Sequence, residues 1–119
     1  MITELRPNEI FVFGSNLAGM HVGGAARQAE KQFGAQEGVG EGPTGQCYAF
    51  PTLDEHINKR SIVDLNNSVV RFGQFARSQP DKTFLLTPVG TGIAGYKYEV
   101  IEDLFSKLPS NVKKVGWRN

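Results

Sequence analysis

The sequence contains little cysteine, a residue that is abundant in small secreted proteins with disulfide bonds. Cys47 is the only cysteine among 119 residues, so the chain can form no disulfide within itself. A lone cysteine is typical of a reducing compartment, and we expect a cytoplasmic protein. Because Cys47 stands in an apolar run, we expect a buried structural thiol rather than a reactive one.

Charge excess and long apolar runs are also missing from the sequence. The 13 basic and 12 acidic residues nearly balance, and no basic stripe of the kind that binds nucleic acid is present. No apolar run approaches the length of about 20 residues that a membrane-spanning helix requires. The first residues are polar and acidic, unlike a secretory signal. We therefore expect neither a nucleic-acid partner nor a membrane partner.

The sequence does contain alternating strand-like and helix-like segments, which is typical of a single α/β domain over residues 1–119. Apolar runs predict strands at 10–13, 46–50 and 83–87, and a closing strand within 112–117. Apolar spacing and a capping box at Ser61 and Asp64 predict helices at 24–33, 61–79 and 98–108. The remaining predictions are a partial edge strand in 1–9, and a lid or hairpin-like excursion in the glycine-rich segment 34–45.

The connections between the predicted strands indicate the fold class. Each is long enough to contain a helix, which parallel strands need and antiparallel hairpins do not. We therefore expect a mostly parallel or mixed central sheet with helices on both faces, a three-layer α/β/α sandwich.

Two glycine-rich loops, 14–24 and 90–95, each follow a predicted strand and precede a helix. Parallel strands place such loops at one edge of the sheet, where α/β folds bind their ligands. Glycines let backbone N–H groups approach a ligand, and a helix N-terminus favours negative charge. The pair of loops predicts a phosphate or diphosphate site. Glycines that serve only tight packing are the alternative interpretation.

The same segments resemble the macrodomain family, which binds ADP-ribose and its relatives. The first resemblance is Asn16 at a strand end, followed by a glycine-rich loop and a helix. The second, more specific one is the Gly90-Thr91-Gly92 loop, which ends in an aromatic residue, Tyr96. The resemblance implies that Asn16 contacts the distal ribose and that Tyr96 packs near this ribose or closes the second loop.

The predicted ligand is therefore ADP-ribose or a related nucleotide diphosphate, with the glycine loops wrapped around its diphosphate. The predicted ligand-binding residues are Gly14, Ser15, Asn16, Gly23, Gly24, Gly90, Thr91, Gly92, Ile93, Ala94, Gly95 and Tyr96. We also expect Gly92 to need a positive φ. Neither the residues nor the resemblance requires a cofactor or a metal ion.

Two of the departures from the macrodomain pattern bear on the ligand and on catalysis. The aspartate that reads the adenine amino group in that family would fall at or before Met1, so other atoms would have to read the base. A hydrolytic branch pairs a lysine with an aspartate in the second loop, where this chain has Ala94. Ala94 and the lack of a clear carboxylate pair favour a binding module over the alternative, a hydrolase acting on ADP-ribosyl or phosphate esters. A structural α/β domain with unused loops is a third possibility.

Three residues are candidates for catalysis if the chain is an enzyme. His21 lies within the first glycine-rich loop, and histidine is the residue type that most readily moves a proton in enzymes, although an exposed loop histidine is the alternative. Asp54 follows the second predicted strand and is expected to face the ligand edge. Lys59 matches the lysine of the hydrolytic branch. His56 lies beside Asp54 and Glu55, but adjacent ligands without a second cluster do not predict a metal site.

Overall fold

A five-stranded mixed sheet forms the centre of the fold. The structure is a computed structural model that describes residues 2–21 and 23–117. In this part of the chain the strands are β1 (Glu9–Asn16), β2 (Gly42–Thr44), β3 (Cys47–Leu53), β4 (Thr83–Leu86) and β5 (Val112–Lys114), in the spatial order β2-β3-β1-β4-β5. β1 pairs in parallel with β3 and β4, β5 is parallel to β4, and β2 is antiparallel to β3. The predicted α/β class and the mostly parallel sheet are confirmed.

Three helices in the described residues connect these strands: α1 (Gly24–Phe33), α2 (Ile62–Arg77) and α3 (Tyr98–Leu104). Side chains on β1 alternate between its two faces, as a strand requires. Phe11 and Phe13 pack with α1 in one apolar cluster, whereas Val12 packs with α2 and α3 in the other. None of the helices in the described ranges is long and apolar enough to cross a membrane.

The helix ends follow the predicted sequence signals. At the start of α2, the Ser61 hydroxyl accepts a hydrogen bond from the backbone N–H of Asp64 at 3.1 Å. Gly34 follows α1 with φ +82°, in the left-handed conformation that glycine adopts without steric cost. By contrast, Gly23 precedes α1 and offers no side chain to its first N–H groups.

The first two predicted strands are longer than the apolar runs that revealed them. β1 continues past Phe13 to Asn16, because it pairs with β3 as far as Leu53 and this pairing outweighs the low strand propensity of glycine, serine and asparagine. β3 begins at Cys47 rather than 46 and continues through Pro51. Beyond Ala49 it has no β2 partner on its outer side, and proline is tolerated at such an edge.

Other predicted boundaries were also wrong. α3 ends at Leu104 instead of 108, because residues 105–107 form a turn and Pro109 disfavours helical geometry in the residue before it. β4 ends at Leu86, and the closing strand covers only Val112–Lys114. Residues 2–8 form no strand, so no edge strand precedes β1; Met1 lies outside the described residues. The segment 34–45 contains β2, which confirms the hairpin-like excursion.

Cys47 lies in the interior next to α1. It is 1% exposed, and its Sγ lies 3.7 Å from the carbonyl oxygen of Phe33. Burial raises the pKa of its thiol from 9.0 to about 12, although a backbone hydrogen bond from Ala35 works in the opposite direction. The thiol is therefore neutral at physiological pH, which confirms the prediction of a structural cysteine.

Candidate functional site

A cleft of about 430 Å³ opens at the carboxyl edge of β1, β3 and β4. Both glycine-rich loops line it, as the parallel strand order predicts. Its lining includes every predicted ligand-binding residue except Gly95 and Tyr96. Sequence reasoning missed the other lining residues, which are Met20, Ala25, Ala26, Thr52, Leu53, Thr87, Pro88 and Val89.

The first wall of the cleft is the N-terminus of α1. The backbone N–H groups of Gly24 and Ala25 donate to no acceptor among the described residues. The first turn contains no acidic side chain, and Gly24 has φ +58°. A Cβ placed on Gly23 or Gly24 would meet no atom within 4 Å, so both glycines border open space. Unpaired N–H groups and the positive end of the helix dipole favour an anion here.

The second wall is the loop 88–95, which is held in shape by its own hydrogen bonds. The Thr91 hydroxyl donates to the carbonyl of Pro88 at 2.7 Å, and the Tyr96 N–H donates to the carbonyl of Gly90 at 2.9 Å. The backbone N–H groups of Gly92, Ile93 and Ala94 donate to no acceptor in the described part of the chain. Three successive unpaired donors on a cleft wall form an anion-binding concavity.

The glycines of the second loop differ in what they require. Gly90 has φ +81°, and a Cβ there would lie 3.1 Å from Cδ1 of Ile101, so this position needs glycine for conformation and for space. Gly95 also has positive φ, at +76°. Gly92 lies outside the left-handed region, and a Cβ on it would meet nothing within 4 Å. The prediction that Gly92 needs a positive φ was therefore wrong, because the turn uses Gly90 and Gly95.

Ser15 and Asn16 are buried polar residues at the end of β1. The Ser15 hydroxyl donates to the carbonyl of Gly40 at 2.6 Å. The Asn16 amide group holds the turn that follows, since it donates to the carbonyl of Met20 at 2.9 Å and accepts from the Met20 N–H at 3.0 Å. An amide has four hydrogen-bonding positions, so Asn16 keeps one N–H and one lone pair for a ligand.

Thr52 contributes the side chain on the cleft wall that sequence reasoning missed most clearly. It is 5% exposed, lies near the end of β3 and lines the cleft, and its hydroxyl takes part in none of the hydrogen bonds seen among the described residues. Thr87 also lines the cleft, but its hydroxyl donates to the carbonyl of Val12 at 2.6 Å. Thr52 follows an apolar run, and this position could have identified it as a residue near a strand end. The predicted strand ended before Pro51, so Thr52 was not considered.

Tyr96 lies outside the cleft lining and braces the second loop from behind. Its hydroxyl donates a hydrogen bond to the backbone carbonyl of Arg60. The Lys59 ammonium group lies 4.0 Å from the centre of its ring, within the range of a cation–π contact. Of the two roles that the macrodomain resemblance implies for Tyr96, this geometry fits closure of the loop.

Asp54 and Lys59 lie outside the cleft lining. The Asp54 carboxylate accepts hydrogen bonds from the N–H groups of His56 at 2.8 Å and Asn58 at 2.9 Å, closing a turn after β3. The bond from Asn58 is the largest of the effects that lower its pKa. The Lys59 ammonium group lies over the Tyr96 ring instead of in the cleft. The expectation that Asp54 faces the ligand edge was wrong: it does not line the cleft, and its Oδ1 accepts both hydrogen bonds of the turn after β3.

His21 lies behind the first loop, and its side chain is fully buried, so the interpretation of an exposed loop histidine was wrong. Its ring packs edge-on against Phe13, with ring centres 5.7 Å apart. Its Nδ1 lies 3.0 Å from a carboxylate oxygen of Glu30, and its Nε2 is buried without a hydrogen-bond partner among the described residues. His21 is not part of the cleft lining.

The chemistry of the cleft follows from its lining. Among the residues that the structure describes, none of the lining side chains is titratable, so this lining offers backbone N–H groups, hydroxyls, one amide and apolar surface, but no acid or base. Such a lining can hold an anion and hydroxyl groups. Comparison with protein-family models, with curated proteins and with solved structures finds no match to this chain.

Proposed function

We propose that this cleft binds ADP-ribose or a related nucleotide diphosphate, and that the chain is a three-layer α/β/α domain of the macrodomain type. The observation that supports this most is the pair of N–H clusters on its walls, which have no acceptor among the described residues. Gly24 and Ala25 supply donors at the α1 N-terminus, and 92–94 supply donors on the facing loop. A diphosphate has oxygens on two phosphorus atoms, so it can accept from both walls at once.

The polar side chains between these walls suit a sugar. The free hydroxyl of Thr52 and the remaining amide positions of Asn16 line the same cleft, and both can donate and accept. Ribose hydroxyls need such groups. The Asn16 side chain is held in place by its two bonds to Met20, so it is preorganised for a ligand.

Binding is favoured over hydrolysis because the cleft lining has no titratable side chain. General acid–base catalysis requires a group that can exchange a proton within hydrogen-bond reach of the substrate. Asp54, Lys59 and His21 all lie outside the lining, and Ala94 lines the cleft where the hydrolytic branch of macrodomains has an aspartate. We therefore propose a module that recognises or sequesters its ligand.

Calorimetric titration tests this proposal. We expect ADP-ribose to bind, AMP to bind more weakly because it has one phosphate, and adenosine to show no binding. NAD tests whether a substituent on the distal ribose is tolerated. Equal affinity for ADP-ribose and adenosine, or no binding of either, would contradict the proposal. Release of ADP-ribose from a modified protein at a measurable rate would support the hydrolase instead.

A further inference from the structure

Three metal-ligating side chains meet beside the first glycine-rich loop, outside the cleft lining. His21 precedes α1, Glu30 lies on α1, and Glu37 lies in the segment between α1 and β2. One ligand atom from each residue lies within 4.8 Å of the corresponding atoms of the other two. Nδ1 of His21 lies 3.0 Å from Oε1 of Glu30.

We propose that His21, Glu30 and Glu37 bind one divalent transition-metal ion of the zinc type. The first argument is charge. Two carboxylates approach each other here, and no lysine or arginine forms an ion pair with either of them among residues 2–21 and 23–117. Like charges at such a separation repel, and a cation between them reverses the sign of the interaction.

The second argument is the buried imidazole of His21. If Nδ1 carries the proton and donates to Glu30, the buried Nε2 is left as an acceptor without a donor. If Nε2 carries the proton, the lone pair on Nδ1 faces a carboxylate oxygen at 3.0 Å. Either neutral tautomer therefore has an unfavourable feature. A metal ion shared by Nδ1 and the carboxylates removes the repulsion at Nδ1 in the second tautomer, because both lone pairs then point at a cation, whereas the Nε2–H group keeps no acceptor among the described residues.

The donor set indicates the class of metal. One imidazole nitrogen with two carboxylate oxygens suits zinc, cobalt or nickel, whereas magnesium and calcium prefer oxygen ligands alone. Zinc–ligand bonds of about 2.0–2.2 Å place neighbouring ligand atoms roughly 3.0–3.6 Å apart, and the His21–Glu30 separation already lies in that range. Glu37 is exposed, and one of its carboxylate oxygens lies within 4.8 Å of the other two ligand atoms.

The ion would fasten the segment around Glu37 to the start of α1. A backbone bond from Gly38 to the carbonyl of Gly19, at 2.9 Å, already joins the same two regions. Met20 and Gly23, on either side of His21 in the sequence, line the neighbouring cleft. The inference concerns a structural site and does not depend on the proposed nucleotide ligand.

Titration with metal ions after treatment with a chelator tests the site. We expect Zn²⁺ to bind at about one ion per chain by calorimetry, and to raise the melting temperature of the full chain. Mg²⁺ should do neither, because it does not select imidazole. If Mg²⁺ stabilises the chain as much as Zn²⁺, the residues are only an acidic cluster and the proposal is wrong.

Glu37→Gln is the decisive variant, because Glu37 is exposed and the change removes a ligand without disturbing the core. We expect it to weaken Zn²⁺ binding by more than about tenfold. The matched control is Glu55→Gln, which alters a carboxylate 4.0 Å from the exposed His56 and should leave Zn²⁺ affinity unchanged. Unchanged affinity in Glu37→Gln, or no Zn²⁺ binding by the parent chain, would overturn the proposal. His21→Gln serves as a second ligand variant if it folds.

Discussion

The Tyr96 hydroxyl donates a hydrogen bond to the backbone carbonyl of Arg60, which joins the second glycine-rich loop to the connection between β3 and α2. Arg60 is itself fixed, since its N–H donates to the carbonyl of Thr52 at 3.1 Å and its guanidinium group donates to the carbonyl of Pro51 at 2.7 Å. The second loop is therefore braced against the end of β3, where Thr52 lines the cleft.

Replacing Tyr96 with phenylalanine tests whether this brace prepares the loop for its ligand. Tyr96→Phe removes one hydrogen bond, worth about 0.5–1.5 kcal/mol, and keeps the ring under Lys59. We expect ADP-ribose affinity to fall by roughly 2- to 10-fold, because the competent loop conformation becomes less populated. Calorimetry measures the affinity, and Lys59→Met is the control that removes only the cation–π contact. Unchanged affinity in Tyr96→Phe would show that the loop needs no brace.

Thr52→Val tests the hydroxyl on the cleft wall. Valine has nearly the same shape as threonine, and the hydroxyl of the buried Thr52 takes part in none of the hydrogen bonds seen among the described residues, so we expect the free energy of unfolding to be unchanged or slightly higher. Ligand affinity should fall by about 0.5–1.5 kcal/mol through one lost hydrogen bond. Thr83→Val, at the opposite end of β4, is the control. If both variants bind ADP-ribose like the parent, Thr52 does not contact the ligand.

A high-pH prediction follows from the buried acidic groups Cys47 and Tyr48. Burial raises the pKa of Cys47 from 9.0 to about 12; burial and then the charge of Glu41 raise that of Tyr48 from 10.0 to about 12, although Arg71 works in the opposite direction. At pH values between the ordinary pKa of each group and its raised pKa in the folded chain, the unfolded chain loses protons that the folded chain keeps. Because stability falls with pH where the unfolded state binds fewer protons, the free energy of unfolding should decrease from about pH 9 upward.

Urea denaturation at about pH 8 and about pH 10.5 measures this decrease. Cys47→Ala is the informative variant, because it removes one of the two groups and should reduce the slope above pH 9. The cavity that the smaller alanine side chain leaves lowers the free energy of unfolding by a similar amount at both pH values. The change in this free energy between the two pH values therefore reports the loss of the thiol and not the cavity. A stability that does not change over this range would contradict the burial of both groups.

The arrangement of the sheet could be predicted because its signals are local. The apolar runs around Val12, Tyr48 and Leu85 each lie next to a helical pattern, and parallel strands require connections that are long enough to contain a helix. The position of the cleft follows from the same pattern, since loops after parallel strands meet at one edge. For this reason most of the predicted ligand-binding residues line one cleft.

The side-chain positions that could not be predicted from the sequence depend on contacts between distant parts of the chain. Ser15 is part of a strand because β3 lies beside it, and its hydroxyl meets the carbonyl of Gly40. His21 is buried because Phe13 and Glu30 surround it, although its neighbours in the sequence are typical of an exposed loop. Strand propensity and glycine spacing report neither contact, so the sequence could not place these side chains.

Asn16→Ala should affect the stability of the fold as well as ligand binding. The amide makes two hydrogen bonds to the backbone of Met20 in a buried turn, so the change should lower the free energy of unfolding by about 1–3 kcal/mol. Asn16→Asp separates the two bonds, because a carboxylate still accepts from the Met20 N–H but cannot donate to the Met20 carbonyl. Urea denaturation measures both variants. If Asn16→Ala is as stable as the parent, the turn does not depend on the amide.

The last prediction separates the glycine that shapes the second loop from the glycine that borders its ligand. Gly90→Ala should destabilise the fold by about 1–2 kcal/mol, because φ is +81° there and a Cβ would crowd Ile101. Gly92→Val should leave the fold intact, since that position lies outside the left-handed region and faces open space in the cleft. The valine side chain would occupy the anion-binding concavity, so we expect it to abolish ADP-ribose binding. Urea denaturation and calorimetry on both variants measure the two effects. A folded Gly92→Val variant that binds like the parent would place the diphosphate elsewhere.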